Sequence, residues 1–258
     1  NVNLIELGFM TIYEQPLNEK IRLFLRLEFL VKRFRYHLAQ ADQADTLAAL
    51  DILLDLYNLS ARIDIKSDVI KELDRVAQSV RRDFAVQDQQ DKTLDALNQH
   101  ANELYHLRGA LGQHLRSHIF FSSLRQRTSL PGGMNGVDIP LLNQWQEQEA
   151  SVRVADLVSW GQPFVIASDA ISYILNLMRT YCDGEEYTAR DGFFQMSLGL
   201  TKAYQLLQLE LPAHKNIYPE ISSGKQRFSL RFVEVDMLSE RGKQLPEDVT
   251  FRLKLCAF

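Results

Sequence analysis

The clearest pattern of hydrophobic and polar positions in the chain lies in residues 16–37. Its apolar side chains recur at the spacing of a helix and form one stripe of Leu23, Leu27, Leu30 and Phe34. Neighbouring apolar residues widen this stripe well beyond the usual amphipathic face. Such a helix normally packs against other helices on two of its sides. The pattern therefore predicts that this segment forms the central helix of a helical core.

A narrow charged lane remains on the same segment. Arg22, Arg26 and Arg33 fall at steps of four and seven residues, so they share one helical face with Phe29 between them. A lane of this kind is commonly a solvated face. Because guanidinium groups at this spacing can also hold several carboxylates, an anion-binding stripe is the alternative interpretation.

Further helices are predicted up to residue 183. Helical periodicity continues in residues 42–62, 67–84, 91–113 and 115–128, with shorter helical pieces at 141–145 and 151–160. We expect Asp42 or Asp45 to cap the first of these helices and Ser67 to cap the second. Pro163 predicts the start of a strong final helix that ends near Cys182.

After Asp183 the spacing of the apolar residues changes from helical to alternating. Alternation typical of half-buried strands covers residues 192–199, 203–211, 227–236 and 249–258. Helices first and strands second predict an α+β fold, in which a mainly helical bundle domain is followed by an antiparallel β-sheet domain. We place the helical domain at residues 14–183 and the β domain at 184–258, joined by an N-terminal strand from 9–14. The strands are expected to form a meander or a small barrel-like sheet.

Two of these strands carry cations on their polar side. In residues 227–232, apolar side chains alternate with Arg227 and Arg231, which must face the opposite side of the strand. The last strand repeats this arrangement with Arg252 and Lys254. If the two strands are neighbours, four cations crowd one sheet face. Like charges held together cost stability, which favours a binding face for an acidic partner over a plain solvated face.

Composition limits the classes of partner. The chain of 258 residues has a formal net charge of −4, so it has no global attraction for nucleic acid or anionic lipid. We expect no membrane segment, since no apolar run approaches the roughly 20 residues of a membrane span, and no signal peptide. Cys182 and Cys256 are expected to be reduced residues of a cytosolic protein rather than a disulfide framework.

The sequence contains no recognisable catalytic or metal-binding motif. His114 and His118 are four residues apart, but the glutamate of the zinc-protease motif is missing between them. The acidic loop at Asp183, Glu185 and Glu186 lacks the spacing of a calcium loop. The glycine-rich residues 130–136 lack the lysine of a phosphate-binding loop, and no serine elbow is present. We therefore predict that the protein is not an enzyme and holds no metal or cofactor.

Three blocks of sequence carry a resemblance. They read IYEQPLNEKIRLFLRLEFL at residues 12–30, LRQRTSLPGG at 124–133 and YPEISSGKQRFSLRF at 218–232. In this order and with this spacing they resemble the ZapD family of bacterial cell-division proteins. Three ordered blocks are a far more specific signal than one short motif, and the likeness covers nearly the whole chain from Thr11 onward.

The resemblance implies a partner and a mechanism. ZapD proteins are cytoplasmic homodimers at the midcell division ring, where they bind the C-terminal tail of the tubulin-like protein FtsZ. They bundle its protofilaments and so promote Z-ring assembly and septum formation. Two tail sites per dimer would bridge two filaments, and bivalency would give avidity from individually weak sites.

The resemblance also implies which residues bind the tail. Carried over position by position, the basic residues of the family correspond to Arg22, Arg26, Arg125, Arg127, Lys225, Arg227 and Arg231. Two further basic positions of the family are occupied here by the uncharged Ile119 and Asn143, so the edge of the site differs. The alternative function is a nucleic-acid-binding module on the basic sheet face. The net negative charge and the inward-facing aromatic residues disfavour that alternative.

Overall fold

The computed structural model describes residues 10–84, 86–127, 138–199, 202–213, 216–224, 226–236 and 242–257. The architecture is α+β, as predicted, with a helical part followed by antiparallel sheets. The chain divides into two compact units. The first unit takes the described residues within Asn1–Arg22 and Asn176–Phe258, and the second unit is Leu23–Leu175.

The helices of the described residues are α1 (Glu19–Gln40), α2 (Gln43–Ser60), α3 (Ile65–Asp83), α4 (Gln87–His106), α5 (Gln113–Arg116), α6 (Ile119–Arg127), α7 (Pro140–Gln146) and α8 (Ala150–Thr180). The strands are β1 (Met10–Pro16), β2 (Gly184–Ala189), β3 (Phe193–Ser197), β4 (Leu206–Pro212), β5 (Ile217–Ser223), β6 (Arg227–Glu234) and β7 (Val249–Cys256). Within the described residues, no helix combines the length and the hydropathy that a membrane span requires.

Helix α1 has the buried surface that its sequence predicts. Leu27, Leu30 and Phe34 are at most 4% exposed, Leu23 is half-buried, and the neighbouring apolar positions of the widened stripe are also largely buried. The Asn18 side chain accepts a hydrogen bond from the Ile21 amide at 2.9 Å and so satisfies a free donor of the first turn. The helix is therefore held by burial along its length and by a polar cap at its start.

Helices α2 and α3 are capped in the same way, although the sequence predicts only the cap of α2 correctly. Asp42 caps α2, since its carboxylate accepts a hydrogen bond from the Asp45 amide at 2.7 Å. The prediction that Ser67 caps α3 is wrong, because Asp64 takes that position. Both the amide and the hydroxyl of Ser67 donate to the Asp64 carboxylate, at 3.2 and 2.6 Å. An aspartate three residues before a free amide therefore sets the start of each helix.

The helix predicted at residues 91–113 is shifted toward the N-terminus. Helix α4 already includes the polar residues 87–91 and ends at His106. It ends there because the chain next passes through Gly109 and Gly112, which adopt φ angles of +69° and +76°. The single helix predicted at 115–128 is two helices, α5 and α6, interrupted at residues 117–118. Residue 128 and the glycine-rich segment at 130–136 lie outside the described residues.

Pro163 does not begin the last helix, as the sequence predicts, but lies inside α8. An internal proline removes one backbone hydrogen bond and costs about 3 kcal/mol. Burial offsets this cost, because Phe164, Ala167 and Ile171 beyond the proline are fully buried. At Gly161 a Cβ atom would lie 2.6 Å from the Phe34 ring, so the close approach of these two residues requires glycine.

The strands of the first unit form two antiparallel sheets rather than the single meander or small barrel predicted. One sheet has the order β1-β4-β7-β2 and the other has the order β3-β6-β5. Their apolar faces share one core, in which the Phe251 ring lies 5.2 Å from the rings of both Phe194 and Phe232. The sheets therefore pack face to face, and the polar residues of each sheet face away from the other.

Two strands were not predicted. Strand β2 contains Glu185 and Glu186, which the sequence analysis places in an acidic loop. Strand β5 contains Pro219, which breaks the alternation expected of a strand. Both are edge strands in their sheets. Edge positions tolerate charged residues and proline, since one side of the strand needs no hydrogen-bonded neighbour.

Candidate functional site

One solvent-facing surface of the first unit is built on β6, the central strand of the three-stranded sheet. Phe228, Leu230 and Phe232 of this strand are at most 1% exposed, so Arg227 and Arg231 face outward, as predicted. Strand pairing places residues of β3 and β5 beside them. We call this surface the outer sheet face; it consists of Phe193, Gln195, Ser197, Glu220, Ser222, Arg227, Ser229 and Arg231.

Arg227 is the accessible cation of the outer sheet face. It is exposed and lines a cleft of about 250 Å³ together with polar side chains of the three strands. The polar lining residues are Gln195, Ser222, Ser223 and Ser229. Within the described part of the chain, no carboxylate forms an ion pair with Arg227. A carboxylate that entered this cleft would meet one guanidinium group and several hydroxyl and amide donors.

Arg231 is already paired with a carboxylate. Its Nε and Nη2 atoms donate hydrogen bonds to Glu220 Oε2 at 2.8 and 2.5 Å, across the pairing of β6 with β5. An acidic ligand therefore competes with Glu220 for the Nε and Nη2 donors of Arg231. Lys225, the third basic residue expected here, lies outside the described residues.

The expected crowding of four cations on one sheet face does not occur. Strand β7 belongs to the other sheet, between β4 and β2. There Arg252 is opposite Glu210 and Glu186 in the two ladders, and Lys254 Nζ lies 2.8 Å from Glu210 Oε1. Because the apolar faces of β6 and β7 meet in the core, their charged faces point in opposite directions.

The arginine lane of α1 is exposed, as its spacing predicts. Arg22 lies 3.3 Å from the Glu19 carboxylate, and the Arg33 guanidinium lies 5.7 Å from the centroid of the Phe29 ring. Phe29 is 59% exposed, which is unusual for a large aromatic residue. Arg26, between these contacts, is exposed. The lane therefore offers an alternation of cationic and apolar surface along one helix.

A third basic surface lies within the second unit. A cleft of about 440 Å³, which we call the Tyr57 cleft, is lined by Tyr57, Arg116 and Arg125 among other residues. Arg125 Nη1 donates to the Tyr57 hydroxyl at 2.8 Å, and its guanidinium lies 4.8 Å from the ring centroid. These two contacts fix the guanidinium in place. Arg127 is exposed on the last turn of α6.

Arg116 is a basic residue that the sequence analysis missed. On one continuous helix, residues nine positions apart such as Arg116 and Arg125 lie about 180° apart around the axis. The break between α5 and α6 removes that constraint, and both arginines line the same cleft. The only signal for this break was the short segment of polar residues around Ser117.

The histidines considered as metal ligands have other contacts. His114 Nε2 lies 2.8 Å from the Trp160 carbonyl oxygen, and the His118 ring packs edge-on against Trp160 at 5.5 Å. His118 lies beyond the end of α5, so the two residues do not share one helical face. Among the described residues, no group of histidine, cysteine, aspartate or glutamate could hold a metal ion.

Comparison with known proteins identifies the family. The chain is 33% identical over 253 residues to the cell division protein ZapD of Chromobacterium violaceum, and the alignment covers 96% of this chain and 100% of that protein. The sequence profile of the family named ZapD, described as a cell division protein, matches residues 25–231. This match includes the arginines of the outer sheet face and of the Tyr57 cleft. The chain therefore belongs to the ZapD family of cell division proteins.

Proposed function

We propose that this cell-division protein binds the C-terminal tail of FtsZ and cross-links FtsZ protofilaments. It acts as a cytoplasmic homodimer at the midcell ring and so promotes Z-ring assembly and septum formation. The observation that best supports this function is Arg227, an exposed cation beside a cleft lined by hydroxyl and amide groups. An exposed arginine beside donors of this kind suits carboxylates of an extended peptide.

The proposed contacts contribute unequally to the free energy of tail binding. Arg227 can donate hydrogen bonds directly to a ligand carboxylate, and a hydrogen bond to a charged group contributes about 1.5–3 kcal/mol. Phe193, 46% exposed on the same face, offers an apolar contact beside Arg231. Arg22 and Arg26 on α1, with Arg125, Arg127 and Lys225, complete the proposed set of tail-binding residues.

Bundling requires two tail sites in one assembly. A single weak peptide site cannot connect filaments, whereas two sites in a homodimer turn the second binding event into an intramolecular one. The avidity of the dimer for a filament that displays many tails then exceeds the affinity of either site. We therefore expect the isolated tail peptide to bind far more weakly than polymerised FtsZ.

Co-sedimentation with polymerised FtsZ tests the partner and the mechanism. Full-length FtsZ should carry this protein into the pellet, and electron microscopy should show bundled filaments. FtsZ without its C-terminal tail should leave the protein in the supernatant. Pelleting that does not depend on the tail, or no pelleting with either form, would overturn the proposed function.

A charge reversal tests the outer sheet face itself. We expect Arg227→Glu to weaken binding of the tail peptide at least tenfold, because one charge-assisted contact becomes a repulsion. The fold should be unaffected since the side chain is exposed. The matched control is Arg81→Glu, an equal change of charge at an exposed position of α3. Unchanged affinity in Arg227→Glu, or an equal loss in Arg81→Glu, would exclude Arg227 from the site.

A further inference from the structure

The two cysteines of the chain meet in the folded protein, although 73 residues separate them in the sequence. Gly184 lies opposite Lys254 in the pairing of β2 with β7. Extending this register by two residues places Cys182 opposite Cys256, and the two thiol groups interact. Directly opposed residues of antiparallel strands have Cα atoms about 4.5–5.5 Å apart. A disulfide needs about 4.4–6.8 Å, and both thiols are free.

The surroundings make the two sulfur atoms chemically unequal. Interaction with the Cys256 thiol is the largest effect on Cys182 and lowers its pKa, helped by Lys254 and Lys202 and opposed by burial and Asp183. The pKa of the Cys256 thiol is raised, first by its interaction with Cys182 and then by burial. Of the two thiols, Cys182 therefore loses its proton more readily, and Cys256 keeps its proton.

Access to solvent shows the same asymmetry. Cys182 is half-buried and lines a cleft of about 430 Å³ together with Lys202 and Tyr204. Cys256 is fully buried at the end of β7. A small oxidant can therefore reach the sulfur that ionises more readily, whereas the second sulfur is buried and is not part of the cleft lining. This is the arrangement of a reactive cysteine beside a resolving cysteine.

We propose that Cys182 and Cys256 form a redox-sensitive dithiol that hydrogen peroxide converts to a reversible intramolecular disulfide. The Cys182 thiolate attacks one oxygen of the peroxide, the O–O bond breaks, and hydroxide leaves as Cys182 becomes a sulfenic acid. The Cys256 sulfur then attacks the Cys182 sulfur, the S–O bond breaks, and the hydroxide departs as water with the Cys256 proton. Both thiols are oxidised, and the peroxide is reduced to water.

The strand pairing makes the second step favourable. Once Cys182 is a neutral sulfenic acid, the thiolate charge that retained the Cys256 proton is gone. The two strands are already held in register by the ladder from Gly184 to Ala189, so the bond forms with little movement of the backbone. The oxidised protein is thus a locally cross-linked form of the same fold. A thiol reductant restores the original state by thiol–disulfide exchange.

Thiol counting on the intact protein tests this proposal, because the chain contains two cysteines. After treatment with a few equivalents of hydrogen peroxide, we expect the denatured wild-type protein to show no alkylatable thiol and an intact mass lower by about 2 Da. Dithiothreitol should restore both thiols. Peptide mapping without reduction should recover the fragment that joins Cys182 to Cys256.

Single variants assign the roles. In Cys256→Ala, Cys182 should be trapped as a sulfenic acid by dimedone, whereas Cys182→Ser should leave Cys256 unreactive toward peroxide at the same dose. Circular dichroism checks that both variants are folded, and the wild-type measurement needs neither of them. Two alkylatable thiols after oxidation, disulfide-linked dimers, or equal peroxide reactivity of the two single variants would each overturn the proposal.

Discussion

The Glu220 side chain competes with any acidic ligand for Arg231. It lies opposite Arg231 in the ladder of β5 with β6 and accepts two hydrogen bonds from its guanidinium group. Replacement by glutamine preserves the shape of the side chain and removes its charge. We therefore expect Glu220→Gln to strengthen binding of the FtsZ tail peptide, since Arg231 becomes available and one like charge is removed from the site.

The expected gain in affinity for the tail peptide can be estimated from the solvent exposure of the Arg231–Glu220 ion pair. The Arg231 and Glu220 side chains are 42% and 43% exposed, so solvent screens their attraction. Exposed pairs of this kind contribute about 0.2–1 kcal/mol. At about 1.4 kcal/mol per tenfold change in Kd, removal of the competing interaction makes binding about 1.4- to 5-fold tighter. The gain should shrink in high salt, because screening weakens the contact of Arg231 with the peptide as well.

Fluorescence anisotropy with a labelled tail peptide at low ionic strength measures this change. Glu247→Gln is the matched control, since it removes the same charge from an exposed position that is not part of the outer sheet face. The double-mutant cycle also includes Arg231→Gln, alone and combined with Glu220→Gln. In the protein that carries Arg231→Gln, the further change Glu220→Gln should no longer strengthen binding. Unchanged or weaker binding by Glu220→Gln, or an equal gain in the control, would refute the contact of the peptide with Arg231.

Two further predictions concern the free energy of unfolding. Burial raises the pKa of Glu14, but hydrogen bonds and charge from Arg179 outweigh this effect and hold that pKa below the ordinary value of a glutamate. The ionised carboxylate therefore stabilises the fold above the ordinary pKa of a glutamate, and this contribution disappears as the pH falls through the lowered pKa. We expect Glu14→Gln to cost about 1.5–3 kcal/mol in urea unfolding at pH 7, and the difference from wild type to close in acid; a difference independent of pH would contradict this reasoning. Asp64→Ala should cost about 1 kcal/mol, because the Ser67 amide loses its cap; a cost no greater than that of Asp68→Ala, which removes only a first-turn charge, would argue against the cap.

Elements with one strong period were predictable from the sequence. Helix α1 has an apolar stripe over its whole length, and burial of that stripe outweighs the local preferences of single residues. In β6 the alternation of apolar and charged residues fixes which side chains enter the core, and so the outward direction of Arg227. In both cases the hydrophobic pattern alone is enough to predict which side chains are buried and which face outward.

The predicted ends of helices are wrong where the backbone conformation or the packing of distant residues determines them. The end of α4 is set by the left-handed Gly109 and Gly112, whereas apolar residues continue at helical spacing beyond it. In α8 the opposite occurs, since local rules place a boundary at Pro163 and the helix continues through it. There the burial of Phe164 and its neighbours offsets the lost hydrogen bond, and the rule that places a proline at the start of a helix takes no account of that burial.

The basic surfaces depend on the neighbours of each element, which periodicity does not specify. Alternation places cations outward on both β6 and β7, yet the two strands join different sheets, and their cations face opposite ways. At the Tyr57 cleft, periodicity misses a contact instead of predicting a false one. One continuous helix would separate Arg116 and Arg125, but the break between α5 and α6 lets both line the same cleft. A basic residue is more available to an acidic ligand when no neighbouring carboxylate is paired with it. On that criterion Arg227 should dominate tail binding, while Glu220 should reduce the contribution of Arg231 by competing for its donors.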